Sequence, residues 1–188
     1  MRVLLIGPPG SGKGTQGERL AERLGVEHIA AGDLLRAEVT ARSDIGTQVA
    51  EYLDRGDLVP DRIMIDLLLP KVTAAAQAGG YLLDGFPRSV EQAVAARSLA
   101  EQAGAGPDAA VYLDVARSEL VRRILHRAEE QGRADDNEQT VANRLQVFDE
   151  ATHPLVEYYR SRGLLHMIDA SRDEDTVTAA ILDSLGVG

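Results

Sequence analysis

The sequence predicts an α/β fold in which a parallel β-sheet is covered by helices on both faces. Short apolar segments, each the length of a buried strand, alternate with amphipathic segments, and a glycine-rich loop follows the first apolar segment. Strands that alternate with helices are joined by crossovers, which is typical of a parallel sheet with both faces covered. The predicted strands are Arg2 to Ile6, Tyr81 to Leu83, Ala110 to Leu113 and Leu164 to Ile168.

The predicted helices have apolar residues spaced three or four positions apart. In the first helix Leu20 and Leu24 share one face, and Gly25 follows as a stop signal. Gly56 ends the second helix in the same way. The predicted helices are Thr15 to Leu24, Asp44 to Arg55, Glu119 to Arg127, Thr140 to Arg160 and Asp175 to Leu185. Because ligands bind such sheets at the carboxyl ends of the strands, we expect the functional site there.

The composition fits one globular domain and excludes several kinds of site. The chain has 188 residues, 44% hydrophobic and 27% charged, which is enough to bury a core, and no linker divides it. It has no cysteine, which excludes disulfides and a thiolate zinc site, and we expect no structural metal. A formal net charge of −10 disfavours a general nucleic-acid surface. The longest apolar segments are too short to span a bilayer, so we expect no membrane association and a cytoplasmic location.

The loop from Gly7 to Thr15, GPPGSGKGT, indicates a phosphate-binding site. Its glycines let backbone N–H groups surround a polyphosphate, the following helix presents its positive N-terminus, and Lys13 can reach the outer phosphates. The chain has only one other lysine, Lys71. The pattern predicts binding of a nucleoside triphosphate, and the alternative is a glycine-rich turn without function. The strict motif has Ser or Thr directly after the lysine, where this chain has Gly14.

A carboxylate at the end of a buried strand could bind the metal ion in place of the hydroxyl that the motif lacks here. Asp84 ends the segment Tyr81-Leu-Leu-Asp84 and is followed by Gly85-Phe-Pro-Arg88. Mg²⁺ keeps several waters, so Asp84 can hold it through water beside the phosphate loop, with Thr15 as a possible helper. The alternative is that Asp84 is only a turn residue before a glycine.

Five motifs together resemble the adenylate kinase family in order and spacing, over essentially the whole chain. They are Gly7 to Thr15, Asp33-Leu-Leu-Arg36, Gly56-Asp-Leu-Val-Pro60, Asp84-Gly-Phe-Pro-Arg88 with Gln92, and Gly132-Arg-Ala-Asp-Asp136 followed by Arg144. The resemblance implies a three-layer P-loop nucleoside triphosphate hydrolase-like fold with a parallel sheet. It also implies Mg²⁺-dependent transfer of the ATP γ-phosphoryl group to AMP by a monomer, and a cis peptide bond between Phe86 and Pro87. A single kinase domain over residues 1–188 would carry an acceptor-binding insert at about 30–59 and a short lid at about 127–138.

The resemblance also implies roles for individual residues, many of them arginines. Guanidinium groups bind phosphate bidentately and stay charged, which suits phosphoryl transfer, although each arginine could instead lie on a solvated helix face. The implied catalytic residues are Lys13, Asp84, Arg88, Arg123, Arg133 and Arg144. The implied ATP-binding residues are Gly10, Ser11, Gly12, Lys13, Gly14, Thr15, Arg127 and Arg172. The implied AMP-binding residues are Ala31, Arg36, Asp57, Leu58, Val59, Gly85, Phe86, Pro87, Arg88, Gln92, Arg133 and Arg144. Asp135 and Asp136 are assigned to the lid.

The acceptor site departs from the family pattern at two adjacent positions. Adenylate kinases usually have Ser-Thr-Gly where this chain has Ala30-Ala31-Gly32, and alanine there looks more like the UMP/CMP kinases. Gln92 matches the adenine-contacting glutamine of adenylate kinases, and an amide can bind the edge of adenine with two hydrogen bonds. AMP is therefore the predicted acceptor, with UMP and CMP as alternatives. A nucleotide-binding sensor without turnover is the alternative from another class.

Overall fold

The computed structural model describes the backbone of residues 1–131 and 138–187, and the side chains of residues 1–125 and 140–187. The described residues form a five-stranded parallel sheet with the strand order β2-β3-β1-β4-β5. The strands are β1 (Arg2–Ile6), β2 (Glu27–Ala30), β3 (Tyr81–Asp84), β4 (Ala109–Asp114) and β5 (Leu165–Asp169). The predicted α/β class with a parallel sheet is confirmed.

Helices connect the strands and cover the sheet. They are α1 (Lys13–Leu24), α2 (Ala31–Ala41), α3 (Asp44–Arg55), α4 (Asp61–Gln77), α5 (Val90–Gln102), α6 (Arg117–Gln131), α7 (Glu138–Val147), α8 (Leu155–Arg160) and α9 (Glu174–Ser184). A π-helical turn, Phe148–Thr152, joins α7 to α8. Within the described ranges, no helix combines the length and the apolar character that crossing a membrane requires.

The sheet separates two apolar layers, which gives the three-layer arrangement. Side chains of β1 alternate between them, because successive residues of a strand point to opposite faces. Val3 and Leu5 pack in the layer that contains residues of α1, α6 and α9. Leu4 and Ile6 pack in the layer that contains residues of α2, α4 and α8. Both faces of β1 are therefore buried, as a continuous apolar segment in a parallel sheet requires.

Two sequence predictions of secondary structure were incomplete or wrong. Strand β2 was not predicted, because Glu27 at its start is exposed and only Ile29 is fully buried, so the four residues lack a strong strand pattern. The predicted helix Thr140 to Arg160 is interrupted by the π-helical turn and by Pro154, which precedes α8. Proline has no N–H group to donate, and its ring collides with the preceding turn of a helix.

Candidate functional site

A cleft of about 830 Å³ lies at the carboxyl-terminal end of β1 and β3, where the sheet was expected to bind its ligand. The glycine loop forms part of its lining, and arginines from five separate parts of the chain also line it. The predicted site residues that line it are Gly10, Ser11, Gly12, Lys13, Gly14, Thr15, Arg36, Leu58, Asp84, Gly85, Pro87, Arg88, Arg123, Arg144 and Arg172. Folding thus brings the two predicted nucleotide sites into one cleft.

The glycine loop connects β1 to α1 and leaves open space above its backbone. A Cβ atom placed on Gly12 or on Gly14 would meet nothing within 4 Å. Gly12 has φ +91°, a left-handed conformation that favours glycine. Gly14 has no such conformation, and no neighbouring atom would collide with a side chain there. The glycine therefore leaves open space in the cleft.

The N-terminus of α1 faces this space without a side-chain cap. Gly12 is the N-cap residue and supplies no side-chain hydrogen bond, and the first turn of α1 has no acidic residue. In α3, by contrast, the Ser43 side chain accepts a hydrogen bond from the N–H of Gly46. The first N–H groups of a helix carry a partial positive charge, so an anion can take the place of the missing cap at α1.

Lys13 is held across the loop. Its Nζ donates to the carbonyl oxygens of Gly7, at 2.8 Å, and of Pro8, at 2.9 Å. These bonds keep a compact positive charge beside the uncapped helix end, where the phosphates of a nucleotide would lie.

Asp84 presents a buried oxygen that lacks a hydrogen-bond partner among the described residues. That atom is Oδ1. Burial raises the pKa of Asp84, against the opposing influence of Lys13 and Arg88. Burying a carboxylate oxygen without a partner is costly, and a hydrated cation would remove that cost. The described side chains form no cluster of three potential metal ligands. Mg²⁺ suits such a place, since it binds through one or two carboxylates together with substrate phosphates and waters.

Arg88 is the centre of a cluster of guanidinium groups. Its Nε donates to the carbonyl of Gly85 at 2.8 Å. Burial lowers the pKa of Arg88, and the positive charges of Arg144 and Arg36 lower it further, while Asp84 opposes them. Like charges held close together in a partly buried place repel one another, and a bound phosphate would turn that repulsion into attraction.

Two further arginines of the cleft, Arg123 and Arg172, are held by residues of α6 and of the segment around the end of β5. Arg123 Nε donates to Glu119 Oε1 at 2.7 Å, and its Nη1 donates to the carbonyl of Ala170 at 3.1 Å. Hydrogen bonds from Arg122 and Arg123 lower the pKa of Glu119 to about 2. Arg172 donates to the carbonyl of Asp169 at 3.3 Å. Glu119 was assigned no role from the sequence. Its spacing of four residues from Arg123 on one helix could have predicted their ion pair.

Several predicted acceptor-site residues lie beneath the surface of the cleft. Gln92 is 2% exposed; its Oε1 accepts from the Arg88 N–H at 2.8 Å, and its Nε2 donates to the Val59 carbonyl at 3.4 Å. Ala31, Val59 and Phe86 are also buried. The Phe86–Pro87 peptide bond is cis. The Gln92 amide thus links the acceptor segment to Arg88, and its contact with a base stays a prediction.

Four predicted residues cannot be placed in this geometry. Arg133, Asp135 and Asp136 lie outside the described residues, and so does the side chain of Arg127, whose backbone belongs to α6. Their assignment to the lid and to the reacting phosphates stays a prediction.

Replacing Asp84 by asparagine should stabilise the protein in the absence of ligands at neutral pH. The folded-state pKa of Asp84 is raised, so its ionisation disfavours the folded state as the pH rises through that pKa. Asp84→Asn should increase the free energy of unfolding by about 1–3 kcal/mol at pH 7, the typical cost of an unsatisfied buried group. The gain should shrink as the pH falls towards 4. Urea denaturation at several pH values measures both effects.

The matched control is Asp114→Asn, since Asp114 ends strand β4 of the same sheet and is exposed. We expect it to change the free energy of unfolding by less than about 0.5 kcal/mol, as is usual at the surface. Equal effects of the two substitutions, or a loss of stability in Asp84→Asn, would contradict the account of Asp84.

Comparisons with known proteins agree with this geometry. The adenylate kinase family model matches residues 5–164. An adenylate kinase of Stenotrophomonas maltophilia is 48% identical over 185 residues, which cover 98% of this chain and 99% of the relative. An adenylate kinase of Xanthomonas campestris pv. campestris is 47% identical over 186 residues, covering 99% of this chain and all of the relative. The chain, with its cleft formed by a glycine loop and an arginine cluster, therefore belongs to the adenylate kinase family.

Proposed function

We propose that this protein catalyses the reversible transfer of the γ-phosphoryl group from ATP to AMP, giving two ADP. The observation that carries the proposal is that one cleft contains both a phosphate loop with Lys13 and the guanidinium cluster of Arg36, Arg88 and Arg144. The loop with Lys13 suits the polyphosphate of the donor, and the guanidinium cluster suits the phosphate of the acceptor. The family membership and the names of the relatives support the same reaction.

The residues of the cleft would act by positioning and by neutralising charge. In phosphoryl transfer, an acceptor phosphate oxygen forms a bond to the γ-phosphorus while the bond between that phosphorus and the β,γ-bridging oxygen breaks. The glycine loop and Lys13 would hold the donor, and Arg36 and Arg88 would hold the acceptor phosphate. Arg144 would bind the transferred group between them. The acceptor phosphate is already an anion, so no general base is needed.

Asp84 is the residue that we propose to hold Mg²⁺, through water, with the Thr15 hydroxyl as a second candidate. When bound, the ion would neutralise charge on the β- and γ-phosphate oxygens. The buried, unpartnered Oδ1 of Asp84 supports this assignment. The backbone of Asp84 pairs with β1 and β2, which fixes the carboxylate next to the glycine loop.

The remaining parts of the proposal follow from the family resemblance. Residues 127–138 would form a lid whose Arg127 and Arg133 close over ATP and exclude water, so that the phosphoryl group is not lost to hydrolysis. Residues 30–59 would bind the acceptor. We propose that the enzyme acts as a monomer in the cytoplasm, with nucleotides as its only partners.

Lys13→Met should lower kcat by at least about 1000-fold, because it removes a charge that stabilises the developing negative charge on the transferred group. The control is Lys71→Met, which changes the only other lysine, an exposed residue of α4. It should change kcat less than about two-fold. A coupled assay of ADP formation measures both, and near-normal turnover by Lys13→Met would refute the role of the loop.

Asp84→Asn should weaken the response of the rate to Mg²⁺, because the amide cannot bind the hydrated ion as a carboxylate does. We expect kcat to fall by about 10–1000-fold and the Mg²⁺ concentration for half-maximal rate to rise. Initial rates over a range of Mg²⁺ concentrations measure this, with Asp114→Asn as the control. An unchanged Mg²⁺ profile would refute the proposed metal role.

AMP should be the preferred acceptor, by at least about ten-fold in kcat/KM over CMP, UMP, dCMP and GMP. Gln92 is expected to favour adenine more than the missing hydroxyl at Ala31 disfavours it, since one lost hydrogen bond costs only about 0.5–1.5 kcal/mol. Initial rates with ATP, Mg²⁺ and each acceptor in turn test this. Preference for CMP or UMP would change the assigned acceptor, and no turnover with any of them would favour the sensor alternative.

A further inference from the structure

Helix α7 binds the last turn of α3, although about 86 residues separate them in the chain. Thr140 Oγ1 donates to the Asp54 carbonyl at 3.1 Å. Asn143 Nδ2 donates to the Arg55 carbonyl at 2.7 Å and to Asp57 Oδ1 at 2.9 Å. Two polar side chains of α7 thus hold the end of a helix that belongs to the predicted acceptor segment.

These hydrogen bonds complete the C-terminus of α3. The last carbonyl groups of a helix have no partner within the helix. The N–H groups of Gly56 and Asp57 satisfy the carbonyls of Leu53 and Tyr52. Thr140 and Asn143 take the next two carbonyls, so the contact is part of how α3 ends.

Gly56 lets the stem of Arg144 lie directly against this turn. A Cβ atom on Gly56 would lie 2.5 Å from Arg144 Cγ and 3.2 Å from Arg144 Cδ. The closest atom that a larger residue would meet therefore belongs to the arginine that we place at the transferred phosphoryl group, and Thr140 Cγ2 also lies at 3.2 Å. That arginine is one of the residues that line the cleft, and its charge lowers the pKa of Arg88.

We propose that residues 54–57, the last two residues of α3 and the two that follow it, form a platform that positions Arg144 for phosphoryl transfer. Gly56 sets the direction of the Arg144 stem. Asn143 and Thr140 fix the position of α7 relative to the end of α3. Gly56 and Asn143 are positioning residues, since they act on the reaction through Arg144. The inference rests on the proposed function, because it assumes that Arg144 binds the reacting phosphate.

The chain supplies a matched control for Gly56 in Gly25. Each glycine ends a helix in a left-handed conformation, with φ +75° at Gly56 and +64° at Gly25. Replacement by alanine imposes a similar backbone strain at both positions. A Cβ atom on Gly25 would meet nothing within 4 Å. Gly25→Ala therefore shows the effect of backbone strain alone. Gly56→Ala combines that strain with a clash with the side chains of Arg144 and Thr140.

Gly56→Ala should lower kcat by about 10–100-fold relative to Gly25→Ala, since a misplacement of about 1 Å can cost that much. The KM for ATP should change less than about three-fold, because the glycine loop is untouched. Initial rates of ADP formation from ATP and AMP measure both constants, and thermal unfolding confirms that the two variants are folded. Equal kcat values for the two variants would overturn the inference.

A double-mutant cycle shows whether Gly56 acts through Arg144. Once Arg144→Ala has removed the stem, the alanine at position 56 can no longer displace the arginine and meets only Thr140 Cγ2, at 3.2 Å, so Gly56→Ala should change the residual kcat less than about two-fold. A purely structural effect of Gly56→Ala would lower kcat by the same factor in both backgrounds, which would overturn the inference.

Asn143→Ala provides a second route if Gly56→Ala does not fold. It should lower kcat at least about five-fold in the parent chain and have little effect after Arg144→Ala, and an unchanged kcat in the parent chain would overturn the inference. The wild-type assay separates the two proposals. Turnover by the wild type with no effect of these variants leaves the proposed function standing, whereas an inactive wild type overturns both.

Discussion

Parallel pairing of β1 with β3 is the constraint on which the candidate site depends. In this register Leu5 lies opposite Asp84, so the glycine loop that starts two residues later emerges beside the carboxylate. Both strands are buried on both faces, and a shift of register by one residue would turn every side chain to the opposite face. The apolar core therefore determines where the charged groups of the site lie.

The charges of the site are arranged for a ligand that the protein does not itself supply. The chain as a whole has a formal charge of −10, yet its cleft gathers Lys13 and several arginines. Asp84 is the opposite case, a carboxylate whose buried oxygen finds no described partner. A polyphosphate with its cation would satisfy both, because the anion pairs with the arginines and the cation with Asp84. Some of the arginines already have carboxylate partners, since Arg36 pairs with Asp33 and Arg123 with Glu119, so the buried oxygen of Asp84 is the clearer cost that a bound ligand would remove.

Helix α7 and the π-helical turn after it hold together the side of the cleft that is predicted to bind the acceptor. Thr140 and Asn143 bind the end of α3, and Thr152 Oγ1 donates to the Arg88 carbonyl at 2.6 Å. The π-helical turn adds a residue to the helical path, which changes the direction of the side chains that follow; such turns are frequent at functional sites. One continuous stretch of chain thus contacts both the acceptor segment and the turn that carries Arg88.

The sequence by itself determined the fold class, and it predicted the phosphate loop and the role of Asp84, because each of these depends on neighbours along the chain. A buried strand, a glycine loop and a helix start can be recognised within fifteen residues, and so can a carboxylate at the end of an apolar strand. The motifs of the family extended this to the arginines that line the cleft. The four-residue strand β2 and the break in the long predicted helix were missed, since weak local patterns gave way to packing in the sheet and to Pro154.

Only the tertiary structure decided which distant residues support the site. The contacts of Asn143 with Arg55 and Asp57, and of Gly56 with Arg144, join residues more than 80 positions apart. No local pattern encodes them, because an asparagine on a helix face and a glycine after a helix each have an ordinary local explanation. Their effect on the cleft arises only when the end of α3 meets α7, and that meeting depends on how the two helices pack around the sheet.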